Sequence, residues 1–332
     1  MRGGNGSWSR RNLLKKSLAG AAITHFGLGI SDCGLREARG ATPRSAIAHP
    51  QSSGPLRLGG PVFEKYQDPE GWVNALRRLQ YSAAYCPVGA EAGDDVVRAY
   101  EEAAREADII IAEVGAWSNP ISPDEAERKA ALEKCRTQLA LADRIGARCC
   151  VNISGSRGTM WDGPSPQNLT RATFDMIVET TRSIIDAVKP ARTYFTLETM
   201  PWAYPDSPDS YLQLFKAIDR KQFAVHLDPV NLVCSPQRYY GNAQLIKECF
   251  EKLGPHIKSC HAKDILLQEK LTTHLDEVRA GTGGLDYTVF LKELSRFPDT
   301  PLMLEHLPNA KEYDRAAAYI RGVAKDVGLS FV

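Results

Sequence analysis

Phe195-Thr196-Leu197-Glu198, His226-Leu227-Asp228, Ser259-Cys260-His261 and Met303-Leu304-Glu305 share one pattern: a short apolar run closes on an ionisable residue. Glu198, Asp228, His261 and Glu305 follow one another at intervals of 30, 33 and 44 residues. Each interval has room for one helix, its loops and the next strand. A strand sends alternate side chains to opposite faces, so these runs bury both faces and release a polar group only at their last residues.

Outward from these four runs, short apolar stretches alternate with stretches of helical period along the rest of the chain. Strands are predicted over 56–63, 81–88, 109–117, 148–154, 193–200, 223–232, 257–265 and 301–307. Helices are predicted over 69–79, 94–107, 123–145, 168–188, 208–218, 243–253, 287–296 and 311–327. Eight such units in about 275 residues, with no break in composition, predict an α/β fold: a (β/α)₈ barrel in a single domain over 56–332. A doubly wound sheet would carry a glycine-rich turn after its first strand. Gly59-Gly60 is not a GxGxxG motif, and no phosphate-binding P-loop motif occurs.

Barrel active sites are built at the C-terminal ends of the strands, which is where Glu198, Asp228, His261 and Glu305 fall. Three carboxylates brought together repel one another and raise one another's pKa. A divalent cation at their centre removes the conflict. One such ion is expected, held by Glu198, Asp228, His261 and Glu305: Mn²⁺ first, with Mg²⁺, Co²⁺ or Zn²⁺ as alternatives. Any one of the four alone is more often a helix cap or a salt-bridge partner; four in phase are hard to explain so. Alternation also turns His226 with Asp228, and Lys263 with His261, toward the cavity. Glu113, Trp117 and Asn119, at the end of the third strand, and Trp161 and Trp202, on later loops, are candidates to line it. Gly281-Thr282-Gly283-Gly284 reads as a mobile loop, with an anion-binding nest as the alternative.

Leu197-Glu198, His226-Leu227-Asp228-Pro229, His261-Ala262-Lys263-Asp264, Gly281 through Tyr287 and Leu304-Glu305-His306 together resemble the xylose isomerase-like barrel superfamily, which includes sugar isomerases and epimerases, inosose dehydratases and apurinic endonucleases. The resemblance covers 56–327. In its ketose 3-epimerase branch a Glu, Asp, His, Glu set binds the metal and the two glutamates move the proton, which implies Glu198 and Glu305 as the catalytic pair. Two substrate-contacting positions depart from that branch: Asn231 stands where a histidine is usual, and Leu267 where an arginine is usual. Glu113, Trp117, His226, Asn231 and Lys263 are therefore the expected substrate contacts. The implied activity is isomerisation or epimerisation of a free sugar or keto-sugar through an enediolate. The alternative is a dehydratase or lyase on a keto-sugar or keto-inositol, with Lys263 or His226 as the acid. A sugar-binding protein without catalysis is a further alternative.

Composition bounds the partners. The 332 residues are 43% hydrophobic and 24% charged, ordinary for a globular chain. Formal net charge is +1, but residues 1–48 hold eight basic groups against Asp32 and Glu37, leaving 33 basic and 38 acidic residues in the body. A mildly acidic body with few histidines argues against nucleic acid, and so against an apurinic endonuclease. A small carbohydrate is the expected partner. Ser9-Arg10-Arg11-Asn12-Leu13-Leu14-Lys15, a weakly apolar stretch over 18–30, and Ala46-Ile47-Ala48 look like a twin-arginine export signal. Residues 1–48 are thus a predicted leader and 49–55 a linker, the translocase is a transient partner, and the mature protein is expected outside the cytoplasm. Thr24 and His25 interrupt an apolar span too short for stable membrane insertion. Without Cys33, the seven remaining cysteines form no CxxC pair and read as buried free thiols. Oligomeric state is not legible in the sequence.

Overall fold

The computed structural model describes residues 54–332; the predicted leader over 1–48 and all but the last two residues of the predicted linker lie outside them. Strands and helices alternate as β1 (Arg57–Gly60), α1 (Pro69–Arg78), β2 (Ala83–Tyr85), α2 (Asp94–Glu106), β3 (Ile110–Gly115), α3 (Glu125–Ile145), β4 (Cys149–Asn152) and α4 (Arg171–Val188). The second half continues with β5 (Tyr194–Glu198), α5 (Pro208–Ile218), β6 (Phe223–Leu227), α6 (Pro236–Tyr240), α7 (Asn242–Leu253) and β7 (Ile257–Ala262). It closes with β8 (Asp264–Leu267), β9 (Leu275–Val278), α8 (Tyr287–Leu294), β10 (Pro301–Leu304) and α9 (Ala310–Asp326). Eight of the strands form a closed parallel barrel in the order β1-β10-β7-β6-β5-β4-β3-β2, as predicted. β8 and β9 form a separate antiparallel hairpin.

Local chemistry sets where the helices start. Asp68, Asp124, Thr170, Ser207, Asp286 and Asn309 each accept a hydrogen bond from a first-turn amide of the helix that follows. Pro69 and Pro208 occupy first-turn positions where an N–H would have had no partner. Apart from the short α6, which buries no residue, each helix then packs one face inward. In α1 that face is Trp72, Val73 and Leu76, at helical spacing; burying a side chain of this size fully contributes about 1.5–3 kcal/mol.

Alternation along the strands sorts the two sides of the barrel wall. Phe195, Leu197, Val225, Leu227, Cys260, Ala262, Leu302 and Leu304 join the core shared with the helices. The opposite parity faces the interior. Ala83, Ala112 and Met303 make a small apolar cluster there, and Glu198, His226, Asp228, His261 and Glu305 share that parity. Register brings them level, Glu198 opposite His226 and His261 opposite Met303. Buried Tyr211 ties β5 to β6, its hydroxyl lying 2.6 Å from the Leu197 carbonyl and 2.9 Å from that of Ala224.

All eight predicted strands end early, by two to five residues, and three of these ends shape the site. The sixth, expected to reach 232, stops at Leu227, because Pro229 has no N–H to give and the Asp228 carboxylate accepts the Val230 amide at 2.9 Å. A short 3₁₀ turn, Val230–Leu232, replaces the expected extension. The seventh breaks at Lys263, where the hairpin begins. The eighth stops at Leu304, and His306 turns the chain with φ 57°.

The glycine run is a pinned loop. Asp264 accepts hydrogen bonds from the amides of Ile265, Gly281, Gly283 and Leu285 at 2.8–3.0 Å, so the anion in the nest is the protein's own carboxylate. Gly281 has φ 89°, and a Cβ on Gly283 would meet the Ile265 carbonyl oxygen. No helix of the described residues is long and apolar enough to cross a membrane. The seven cysteines of the described residues are free, and five of them are buried.

Candidate active site

The ends of β5, β6, β7 and β10 bring Glu198, Asp228, His261 and Glu305 together, each offering one ligand atom within 4.8 Å of the others. His261 Nδ1 is the hub: Glu305 Oε2 lies 3.0 Å away, Glu198 Oε1 3.1 Å and Asp228 Oδ2 3.8 Å. Lys263, the first residue beyond β7, sends its ammonium into the same cluster, 2.7 Å from Asp228 Oδ2 and 3.0 Å from Glu305 Oε2. Its backbone is fixed by Tyr287, whose hydroxyl donates to the Lys263 carbonyl at 2.7 Å.

Asp228 divides its work. Oδ1 caps the 3₁₀ turn, while Oδ2 is buried without a hydrogen bond of normal geometry, as is Glu305 Oε2. Three carboxylates and one imidazole nitrogen converging on one point fit a divalent cation with a preference for oxygen ligands. Electrostatics agree. Burial pushes the Asp228 carboxyl up to about 6, with Lys263 opposing and Glu198 adding to the rise. Burial also works against the Glu198 charge, but His261 and Lys263 outweigh it and hold that carboxyl down at about 2. Glu305 is held below its ordinary range in the same way, by His261 and Lys263 against burial. His261 is buried yet held above its ordinary range by Glu305, Glu198 and Glu113.

Glu113 and His226 lie deeper than the other expected substrate contacts, although Glu113 also borders a second cavity of 300 Å³ with Trp117, Glu305 and His306. Glu113 is 1% exposed and lies behind His261, with Oε1 3.3 Å from His261 Nε2 and Oε2 3.1 Å from His226 Nδ1. Burial opposes its charge, but the two histidines hold its carboxyl at about 2. A carboxylate on Nε2 fixes the tautomer that leaves Nδ1 as a lone-pair donor toward the cluster, the arrangement found behind metal-ligating histidines. His226 is wholly buried, its ring 4.1 Å from that of His261. Asn119 also turns away: it clamps the Ser156 backbone, donating to the carbonyl at 2.8 Å and accepting from the amide at 3.0 Å.

A cavity of 320 Å³ opens over the cluster. Glu198, Glu305, Lys263 and Asn231 border it, as do Trp117, Trp161 and Trp202, placed as the sequence suggested. Asn231 donates to Glu198 Oε1 at 3.1 Å. Trp202 is anchored by its indole N–H to the Asp162 carbonyl at 2.7 Å. Among the bordering residues that the sequence reading did not name as contacts are Glu277 of β9 and His306. The first lay in a stretch assigned to no element, although Leu275-Asp276-Glu277-Val278 carries a strand alternation that marks a hairpin. The second was placed inside a strand continuing to 307, and only the left-handed turn at His306 brings it to the mouth.

A family model described as xylose isomerase-like TIM barrel matches residues 70–323. No curated protein matches the sequence at a significant level. Among solved structures, the chain is similar to the probable 3-DHS dehydratase AsbF of Bacillus anthracis, with TM-score 0.61 and 16% identity over 81% of this chain and 98% of that one. It is similar to D-psicose 3-epimerase of Clostridium cellulolyticum H10, with TM-score 0.59 and 13% identity over 82% and 100% of the two chains. A xylose isomerase-like TIM barrel protein of Mycobacterium smegmatis, solved in complex with magnesium, has TM-score 0.56 and 15% identity over 82% and 97%. Fold, matched length and the strand-end cluster agree: this chain belongs to the xylose isomerase-like TIM barrel family.

Proposed function

We propose that this protein is a divalent-metal-dependent sugar isomerase or epimerase, moving a proton on the carbon next to the carbonyl of a free sugar or keto-sugar. The observation that carries this reading is the placement of two carboxylates on one cavity: Glu198 comes from β5 and Glu305 from β10, separated around the barrel by β6 and β7. A sugar seated between them presents one face to each. One glutamate takes the C–H proton, and the other returns one to the opposite face or the neighbouring carbon. Glu198, Asp228, His261 and Glu305 would hold the ion, which supplies Lewis acidity to a carbonyl and an adjacent hydroxyl. Asn231 fixes the Glu198 carboxylate, and Trp117, Trp161 and Trp202 offer apolar faces to the sugar and narrow its access to water.

A second reading, elimination from a keto-sugar, is favoured by Lys263: its ammonium borders the cavity and can protonate a departing oxygen. The likeness to a dehydratase is consistent with it. His226, the other acid expected for that chemistry, is buried behind His261 and does not reach the cavity. Incubating metal-loaded protein with a panel of ketoses and keto-glycosides in D₂O separates the two. Deuterium at carbon without loss of water is the expected result; an unsaturated product means elimination, and no exchange with any sugar defeats both. Export of the mature protein by the twin-arginine route is part of the proposal, and replacing Arg10-Arg11 by Lys-Lys is expected to strand it in the cytoplasm.

A further inference from the structure

The hairpin β8–β9 is an addition to the eight-fold alternation, and it delivers one side chain to the mouth of the cavity. Glu277 pairs across the hairpin with Ile265, and the base of the hairpin is fixed by Asp264 through the amides of Gly281, Gly283 and Leu285. From there the Glu277 carboxylate meets His306 Nδ1, at 3.0 Å through one oxygen and 3.3 Å through the other. Lys263 Nζ lies 3.5 Å from Glu277 Oε2, so the carboxylate is held between an ammonium and an imidazole. His306 has φ 57°, a conformation that side chains bearing a Cβ seldom adopt, and this turn follows immediately on Glu305. Nothing in the apolar core requires it, since the ring is 57% exposed and borders the cavity. With Nδ1–H given to Glu277, Nε2 makes no hydrogen bond among the described residues and faces the space above Glu305, 3.5 Å from its Oε1.

We propose that Glu277 and His306 form a substrate-reading pair, His306 Nε2 making a hydrogen bond to a sugar hydroxyl beyond the reacting carbons and Glu277 holding the ring in place. The pair rests on the cavity being a carbohydrate site, as proposed above, and assigns to it a contact made by the hairpin. His306 is then a residue that touches substrate and Glu277 a positioning residue. A pinned carboxylate fixes both the rotamer and the tautomer of the imidazole, which a mobile exposed histidine would lose entropy to fix on binding.

The test separates this pair from the proton chemistry by using a ligand that cannot react. Metal-loaded protein is titrated with an acyclic hexitol, which lacks a carbonyl, and with its mono-deoxy derivatives, following the fluorescence of Trp117, Trp161 and Trp202. His306→Asn is the first variant, because asparagine tolerates the left-handed backbone and spares the turn; Glu277→Gln is the second. Metal content and Tm are measured for each. The expected result is that wild type binds the hexitol about 10- to 100-fold more tightly than one deoxy derivative, and that His306→Asn abolishes this discrimination with metal content unchanged. Glu277→Gln should reduce it, and the double variant should fall no further than His306→Asn, because both act through one contact. Hexitol binding absent in wild type, or discrimination intact in His306→Asn, overturns the proposal. Failure of every sugar to exchange hydrogen in D₂O would remove the isomerase reading and leave the hexitol result to decide the pair alone.

Discussion

Glu198 and Glu305 are asked to be ligands and proton carriers at once, and their amides separate the two roles. Glu198→Gln and Glu305→Gln keep an oxygen for the cation but cannot take up a proton, so each should retain metal and lose about 10²–10⁴-fold in turnover. Asp228→Asn, which carries no proton in this scheme, should mainly weaken metal binding and be partly rescued by excess Mn²⁺. Wild-type turnover in both Gln variants would remove the glutamates as bases. Glu113 acts one layer further back. Glu113→Gln takes the charge from behind His261 and should cost about 10- to 100-fold in metal affinity, as read by competition with a chelator. Protons compete with the ion for the same atoms: His261 is held protonated above its ordinary range, and burial raises Asp228 to about 6. Both must lose a proton when the cation enters, so affinity should fall as pH falls, beginning above the ordinary imidazole range where His261 takes up its proton and steepening through about 6 where Asp228 does. Calorimetric titration with Mn²⁺ across that range, in buffers of different ionisation enthalpy, counts the protons; an affinity flat in pH would contradict the assignment.

At the scale of elements, the seventh unit departs furthest from the regular repeat. Between β7 and α8 the chain makes a hairpin and a glycine loop, both hung on the single carboxylate of Asp264. Removing it leaves several amides without an acceptor, each costing about 1–3 kcal/mol where water cannot replace the bond. Asp264→Ala should therefore destabilise the protein by at least about 2 kcal/mol in urea, and amide exchange should quicken at Gly281, Gly283 and Leu285 before it does in β5 or β6. Unchanged exchange there would mean that the loop is held by something else. The glycines were read as a sign of mobility because sequence shows that a backbone can bend, not which acceptor it will find. Asp264, the last residue but one of a predicted strand, gave no hint that it would turn back on a loop some twenty residues on.

For the whole molecule, the site is a place where folding and binding are linked. Glu113, His226, Asp228 and His261 are buried at the centre of the barrel, with carboxylates and imidazoles brought close. A cation that binds the folded chain and not the unfolded one stabilises it by RT ln(1 + [L]/Kd), about 2.7 kcal/mol at a hundredfold excess over Kd. Adding Mn²⁺ to chelator-treated protein should raise Tm by several degrees, and much less in Asp228→Asn. An equal rise in both proteins would place the ion elsewhere. Lys263 is the internal competitor, its ammonium within 3.0 Å of two of the expected ligand oxygens.

What the sequence determined by itself was the barrel and the four ionisable residues that meet at its rim, because both follow from periodicity. A buried parallel strand must be apolar on both faces, so the first ionisable residue in each run marks the strand's end, and repetition at the length of one βα unit sets the four marks at one rim. Which polar residues turn inward beyond that rim was settled only by the tertiary structure. His226 shares the interior parity of Asp228, but its depth beneath His261, and that of Glu113 beyond the register shift between β2 and β3, depends on barrel register, which no single strand encodes. His306 and Glu277 lie 29 residues apart in sequence and meet because a left-handed turn and a hairpin close on each other, one fixed by local backbone sterics and the other by a carboxylate brought from elsewhere in the fold.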